Sequence, residues 1–222
     1  TTVHYEKVLL YAPGYIVNTF RFCILAIIMC ILIGVPVSWI MARTQMRTRG
    51  ALDILTMLVL ALPGTALGIA YIRAFNTPML FRVPLANIWI ILPIVLAVRR
   101  LPYTVRSSYS SLLVVHRSME EAAESVGAGG FKTFKDVTLP LIWKGVLAGA
   151  LFSFMTSIQE SAATLLLSIP GWETMTMGIF TFYTGGTHGD AAALGFILIV
   201  VGVITLFAMN RLSSAAKGGL FG

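Results

Sequence analysis

The sequence predicts an all-α membrane protein with about five transmembrane helices and one soluble-looking helix between two of them. Three observations carry this expectation. Apolar residues make up 57% of the chain and charged residues 11%, with a mean hydropathy of +0.87; soluble domains carry about 25% charged residues. Several apolar stretches approach the ~20 residues a helix needs to cross a bilayer. One stretch, SMEEAAESVGAGGFKTFKDVTLP at 118–140, breaks the pattern with three glutamates and a cluster of glycines.

The spans follow in order. The first is expected at 15–42, with Arg21 near its start able to reach the interface. Arg43, Arg47 and Arg49 follow it in a short loop. The second is expected at 51–74, interrupted by Pro63 and Gly64; Gly64 and Gly68 form a pair of small residues that permits close helix contact. A loop with Pro78 and Pro84 leads to a third span from about 85 to 108. Its Arg99 and Arg100 are expected at the interface or against protein. The fourth is expected at 141–160. Gly145, Gly149, Ser153 and Ser157 recur there at four-residue spacing, a stripe on which another helix can approach closely, inside this chain or across a dimer. The fifth is expected at 191–210. As domains, 1–14 reads as a periplasmic lead-in, 15–212 as the transmembrane unit and 213–222 as a cytoplasmic tail.

Charge sets the orientation. With the 43–50 loop, the 118–140 insert and the C-terminus on one side, that side holds twelve of the sixteen basic residues. Basic residues gather on the cytoplasmic side, so the insert and C-terminus are expected inside and the N-terminus outside. Thr1 opens without an initiating methionine or signal peptide, so an upstream transmembrane helix is expected.

The net charge of +7 is explained by this asymmetry, and no nucleic-acid reading motif accompanies it. Cys23 and Cys30 share a face of one apolar segment and read as packing residues. His4, His116 and His188 are scattered and make no metal spacing. No catalytic constellation is visible, in the segment with Glu173, His188 and Asp190 or elsewhere. Residues 162–169 are apolar but too short to span, and a partial return into the membrane is expected there. Trp39, Trp89, Trp143 and Tyr71 sit near span ends as an aromatic belt would.

Within the insert, Met119, Ala122, Ala123 and Val126 recur with helical period, while Glu120, Glu121 and Glu124 take the remaining surface. Ser118 and Glu121 have the spacing of a capping box. Gly127 is placed to end the helix, and a second short helix is expected at 131–136. The pieces make a short amphipathic helix, a sharp turn and a return to the membrane. Gly127 to Thr133 is no phosphate loop, because Lys132 stands where the second glycine is required.

Glu121-Ala122-Ala123, three residues, Gly127, nine residues, then Val137-Thr138-Leu139-Pro140 resembles the EAA loop of ABC importer permeases, with Val137 in place of isoleucine. Arg99 to Arg106 resembles the segment that precedes the loop in these permeases, and Gln159 to Leu167 is similar to the region after the fourth span in those of the ferric-iron type, a pattern that relatives handling thiamine, aminoethylphosphonate, polyamines or sulfate largely share; the resemblance covers about 18–212. It implies the type I permease core in the cytoplasmic (inner) membrane, coupled through Glu121, Ala122, Ala123, Gly127, Leu139 and Pro140. The implied partners are two ABC ATPase subunits that use the ATP, a second permease half, fused or separate, a periplasmic or lipid-anchored solute-binding protein, and membrane lipid. The chain itself would bind no cofactor and hydrolyse no ATP. Gln159, Glu160, Ser161 and Thr164 become candidates for the outer mouth of the substrate path. The plainer expectation for Glu160 is a helix end among headgroups. A competing reading is a membrane scaffold whose cytoplasmic helix recruits an unrelated soluble protein.

Overall fold

The computed structural model describes residues 2–44, 47, 49–77 and 84–218. Pro78, Arg82 and the last four residues of the expected tail lie outside them. The helices are α1 (Thr2–Tyr11), α2 (Pro13–Arg43), α3 (Arg49–Ala61), α4 (Gly64–Phe75), α5 (Ile91–Val114), α6 (Arg117–Ser125), α7 (Gly130–Thr133), α8 (Leu139–Ile158), α9 (Ala162–Leu166), α10 (Met175–Thr184) and α11 (His188–Gly218). A 3-10 turn, Leu85–Asn87, precedes α5, and a π turn, Phe134–Thr138, joins α7 to α8. Among the described residues three helices are long and apolar enough to cross a membrane: Pro13–Arg43, Gly130–Ile158 and the His188–Ala208 part of α11.

The second expected span is not one helix. Leu62 and Pro63 separate α3 from α4, and the two are bent by 108°. Proline lacks the N–H that would continue the ladder and disfavours helical geometry in the residue before it, so the chain turns here. Hydropathy cannot see that turn, because both halves are apolar. The third span runs later than expected, over Ile91–Val114, and carries Arg99, Arg100 and Arg106 inside it. Its length is sufficient, but its charge keeps it out of the apolar set.

The core is the packing of α2 against α5 and of α5 against α8. Phe22, Cys23, Ala26 and Cys30 of α2 are buried with Ile91, Leu92, Val95 and Leu96 of α5. The small stripe of α8 meets α5 of the same chain. A Cβ on Gly145 would collide with Ser111 Oγ, and one on Gly149 would lie 2.7 Å from Ser107 Cβ and 3.1 Å from Thr104 Cα. Ser107 Oγ donates to Gly145 O at 2.7 Å, Ser153 Oγ lies 3.0 Å from Thr104 Oγ1, and Ser153 Oγ donates to Arg100 O at 3.1 Å. Ser157, the last of the stripe, is buried beside them. Burial among lipid tails gives apolar side chains little reason to prefer each other, so close backbone approach and interhelical hydrogen bonds hold such pairs.

The glycines of α4 work likewise. A Cβ on Gly68 would sit 3.0 Å from Leu166 Cδ1, and one on Gly64 would sit 2.8 Å from Ala162 Cβ. Helix α9 is thereby seated on α4 as a short segment that does not cross. Two of the aromatic residues expected at the interface are half-buried and have aromatic partners within the chain. Trp89 stacks on Trp172 with ring centroids 5.2 Å apart, and Trp39 meets Phe134 edge-on at 6.0 Å. These rings hold loops to spans because each has an aromatic partner from a distant segment. Residues 2–11 form α1, whose buried Val8 packs with Met175 and Leu194.

Replacing Gly149 by Leu would force α8 away from α5. We expect a loss of about 1–3 kcal/mol, as for other overpacked sites, read as a lowered thermal midpoint in detergent. Gly195→Ala, whose new methyl would find only Ile179 Cδ1 at 3.9 Å, should leave the midpoint unchanged or raise it.

Candidate functional site

The insert is a short helix, a glycine turn and the lead-in to α8. Helix α6 starts after His116, with Ser118 Oγ 3.0 Å from His116 Nδ1. The expected capping box does not form, because α6 has no side-chain cap and begins one residue before Ser118. The C-terminal end does follow the sequence. Gly127 has φ +88, its N–H donates to Glu124 O at 2.9 Å, and Ala128 N–H donates to Ala123 O at 3.1 Å. That pair of bonds is the glycine-terminated helix end that satisfies the last carbonyls.

After the turn the chain does not make a separate second helix. It runs as one continuous helix from Gly130 to Ile158. Within it, Leu139 N–H bonds to Phe134 O, five residues back. Pro140 explains the wide turn: it has no N–H to give to Asp136 O, and its ring would press on that carbonyl. Leu139 is half-buried against Val35, Leu112, Ile142 and Val146, while Pro140 is exposed.

The insert presents apolar groups outward. Val126 is 86% exposed and Phe131 81%, and Met119 is also exposed. Glu121 and Ala122 face out beside them, and Ala123 is half-buried. The one buried residue of α6 is Glu120, which the sequence had assigned to the surface. Its Oε2 lies 2.8 Å from Arg43 Nε and its Oε1 accepts from Thr138 Oγ1 at 2.7 Å. The Arg43 contact is an ion pair by distance, with the Nε–H not aimed along a hydrogen bond. Sequence reasoning missed this residue because its partners lie 77 and 18 positions away; the only available hint was that Arg43 ends a span with no acidic neighbour nearby.

A second charge cluster lies deeper. Glu160 was expected at the headgroups, but it is 6% exposed and held by two arginines. Its Oε2 lies 2.6 Å from Arg100 Nη2 and 3.1 Å from Arg99 Nε, and its Oε1 accepts from Ala163 N–H at 3.2 Å. Arg100 Nη2 also donates to Thr156 O at 2.9 Å. A buried carboxylate is costly unless paired, and two guanidinium groups with an α9 amide supply the pairing. Arg99 Nη1 reaches the bend, where a Cβ on Gly64 would lie 2.7 Å from it. The four residues expected at the outer mouth divide here. Glu160 and Thr164 point inward, with Thr164 Oγ1 donating to Glu160 O at 2.8 Å, whereas Gln159 and Ser161 are exposed. A third pair, Asp53 with Arg106 at 3.0 Å, ties α3 to α5 at a half-exposed position.

Comparison with known proteins places this architecture. Residues 34–218 match the model of the family described as binding-protein-dependent transport system inner membrane component. The chain belongs to this family. It is 30% identical over 186 residues to the ferric transport system permease protein FbpB of Actinobacillus pleuropneumoniae, covering 84% of this chain but 27% of that protein. It is 28% identical over 200 residues to the putative 2-aminoethylphosphonate transport system permease protein PhnV of Salmonella typhimurium, covering 90% of this chain and 72% of that one. The fold matches that of an inward-facing methionine ABC transporter, MetNI, with a TM-score of 0.73 at 17% identity over 95% of this chain and 98% of that one. The permease family member described here is thus all-helical, with the fold of ABC importer membrane components, and its EAA-loop resemblance falls on the insert between α5 and α8.

Proposed function

We propose that this chain is one permease half of an ATP-driven, binding-protein-dependent importer, and that 117–138 couples it to an ATPase subunit. The observation that carries this reading is the exposure of Val126 and Phe131 on either side of the glycine-terminated turn at Gly127. Apolar side chains grouped on one exposed surface outside the spans mark a binding surface. Val126 and Phe131 flank Gly127, with Glu121 and Ala122 exposed on the same helix. A groove on a soluble ATPase fits such a protrusion. The membrane family and the basic asymmetry of the loops support an inner-membrane location with the insert and the C-terminus cytoplasmic. Helix α3 buries no residue in this chain and exposes Ile54, Leu55 and Leu58; on that face we place the second permease half. Gln159 and Ser161 are the exposed side chains we assign to the path. ATP is consumed by the partner subunits and no cofactor is assigned to this chain.

Val126→Asp puts a charge into that contact without touching the fold, since exposed substitutions usually change stability by less than about 0.5 kcal/mol. Co-purification of the ATPase with the full-length permease should weaken by roughly tenfold or more, the equivalent of about 1.4 kcal/mol. Equal retention of the ATPase by both forms would remove this turn as the docking element. Retention by neither would favour the scaffold reading.

For the cargo, we assign ferric iron, supported by the resemblance at Gln159 to Leu167 and by the similarity to FbpB. Vesicles holding the full permease, its ATPase and its binding protein should accumulate radiolabelled iron when ATP is supplied. Accumulation of 2-aminoethylphosphonate with no iron uptake would contradict the assignment.

A further inference from the structure

Helix α6 has no fully buried apolar side chain. Met119 and Val126 point outward, and Glu120 is its one buried side chain. That carboxylate sits at the meeting point of four segments. Arg43, at the end of α2, lies 2.8 Å from Glu120 Oε2, with only 10% of the Arg43 side chain and 11% of the Glu120 side chain exposed. Arg43 Nη2 also donates to Val115 O at 3.0 Å, at the end of α5. Thr138, in the π turn ahead of α8, donates to Glu120 Oε1 at 2.7 Å in a buried bond. Arg117 Nη2 donates to Arg43 O at 3.1 Å and closes the ring from the α6 side.

An element that passes force between a soluble subunit and the membrane spans must be tied to those spans. Covalent connection ties α6 to α5 before it, but Gly127, Ala128 and Gly129 intervene before α7, and chain connectivity supplies no direct link to α2. A shielded carboxylate held by a guanidinium and a hydroxyl is a short, stiff link, because charge-assisted contacts are stronger than neutral ones and solvent screens them little when buried. The neighbouring glutamate does something else. Glu121 is exposed, and its backbone carbonyl accepts from Ser125 Oγ at 2.8 Å.

We propose that Glu120 is the positioning residue through which displacement of the insert reaches α2 and α8, a latch that makes 117–138 move together with the spans. This rests on the coupling reading above. The docking surface and the latch are separate groups, outward and inward on the same short helix. Loss of the latch therefore leaves ATPase binding intact and breaks transmission.

The test uses the full-length permease with its ATPase in lipid nanodiscs, wild type beside Glu120→Gln. Hydrogen exchange across 13–43 and 139–158 is compared without nucleotide and with ATP plus vanadate. In the wild type, nucleotide should change exchange in both spans. In Glu120→Gln, the ATPase should be retained within about twofold of wild type, while the nucleotide-dependent change in the spans falls by roughly fivefold or more. Exchange in the spans without nucleotide should match wild type, which a general loss of structure would not allow. The swap Arg43→Glu with Glu120→Arg should recover part of the response. Thr138→Val, which keeps the side-chain volume, should weaken the response in the same direction and decides the matter if Glu120→Gln does not fold. Spans that answer nucleotide as in wild type when Glu120 or Thr138 is changed would overturn the latch and leave the coupling reading standing. A wild type that retains no ATPase would overturn both.

Discussion

The close approach of α5 and α8 is the constraint on which the rest depends. Gly145 and Gly149 leave room for Ser111, Ser107 and Thr104, and the seam is closed by serine and threonine hydroxyls. Because the two helices are joined by the insert, their contact fixes both of its ends. Val115 and Thr138 come within reach of one Arg43–Glu120 pair only because α5 and α8 lie so close. Wider spacing would leave α6 hanging from its linkers. In lipid that spacing is set by side-chain size rather than by a hydrophobic force between helices, which is why small residues matter more here than in a soluble core.

Two buried carboxylates then divide the labour along this frame. Glu160 gathers Arg99, Arg100 and the Ala163 amide of α9, so α5, α8 and α9 meet at one charge, beside the bend between α3 and α4. Glu120 does the same at the other end for α2, α5, α6 and the π turn. Each removes a cost that the arginines would otherwise carry, since an unpaired guanidinium in a span is as unwelcome as an unpaired carboxylate. The chain between them, α5 and α8, is the bar that joins a surface-facing insert to the region around the bend between α3 and α4.

Much of this was legible in the sequence. Hydropathy found the first and last spans closely, and the start of the fourth is obscured only because α7 runs into α8 through the π turn. Gly127 announced a left-handed turn, and the stripe from Gly145 to Ser157 announced a close contact, though not which helix would fill it. Directions and long-range partners were not legible. Pro63 and Gly64 marked a break but not its 108° angle. Ser118 and Glu121 have capping-box spacing, yet α6 starts earlier and that box goes unused. Glu120 reads from the sequence as a surface charge and Glu160 as a headgroup or path-mouth charge, because a local pattern cannot reveal an arginine brought in from another helix. Membership of the permease family came from motif spacing in the insert; the cargo and the partners are carried by no local pattern of this chain.

The account stands or falls on what touches the exposed turn in the assembled protein. Photo-cross-linking from position 131 of the full-length permease, in membranes that contain its ATPase, measures that contact directly. The account predicts a cross-link from Phe131 to the ATPase subunit, lost when the ATPase is absent. A cross-link only to lipid or to another protein, with the ATPase still bound through a different face, would contradict it.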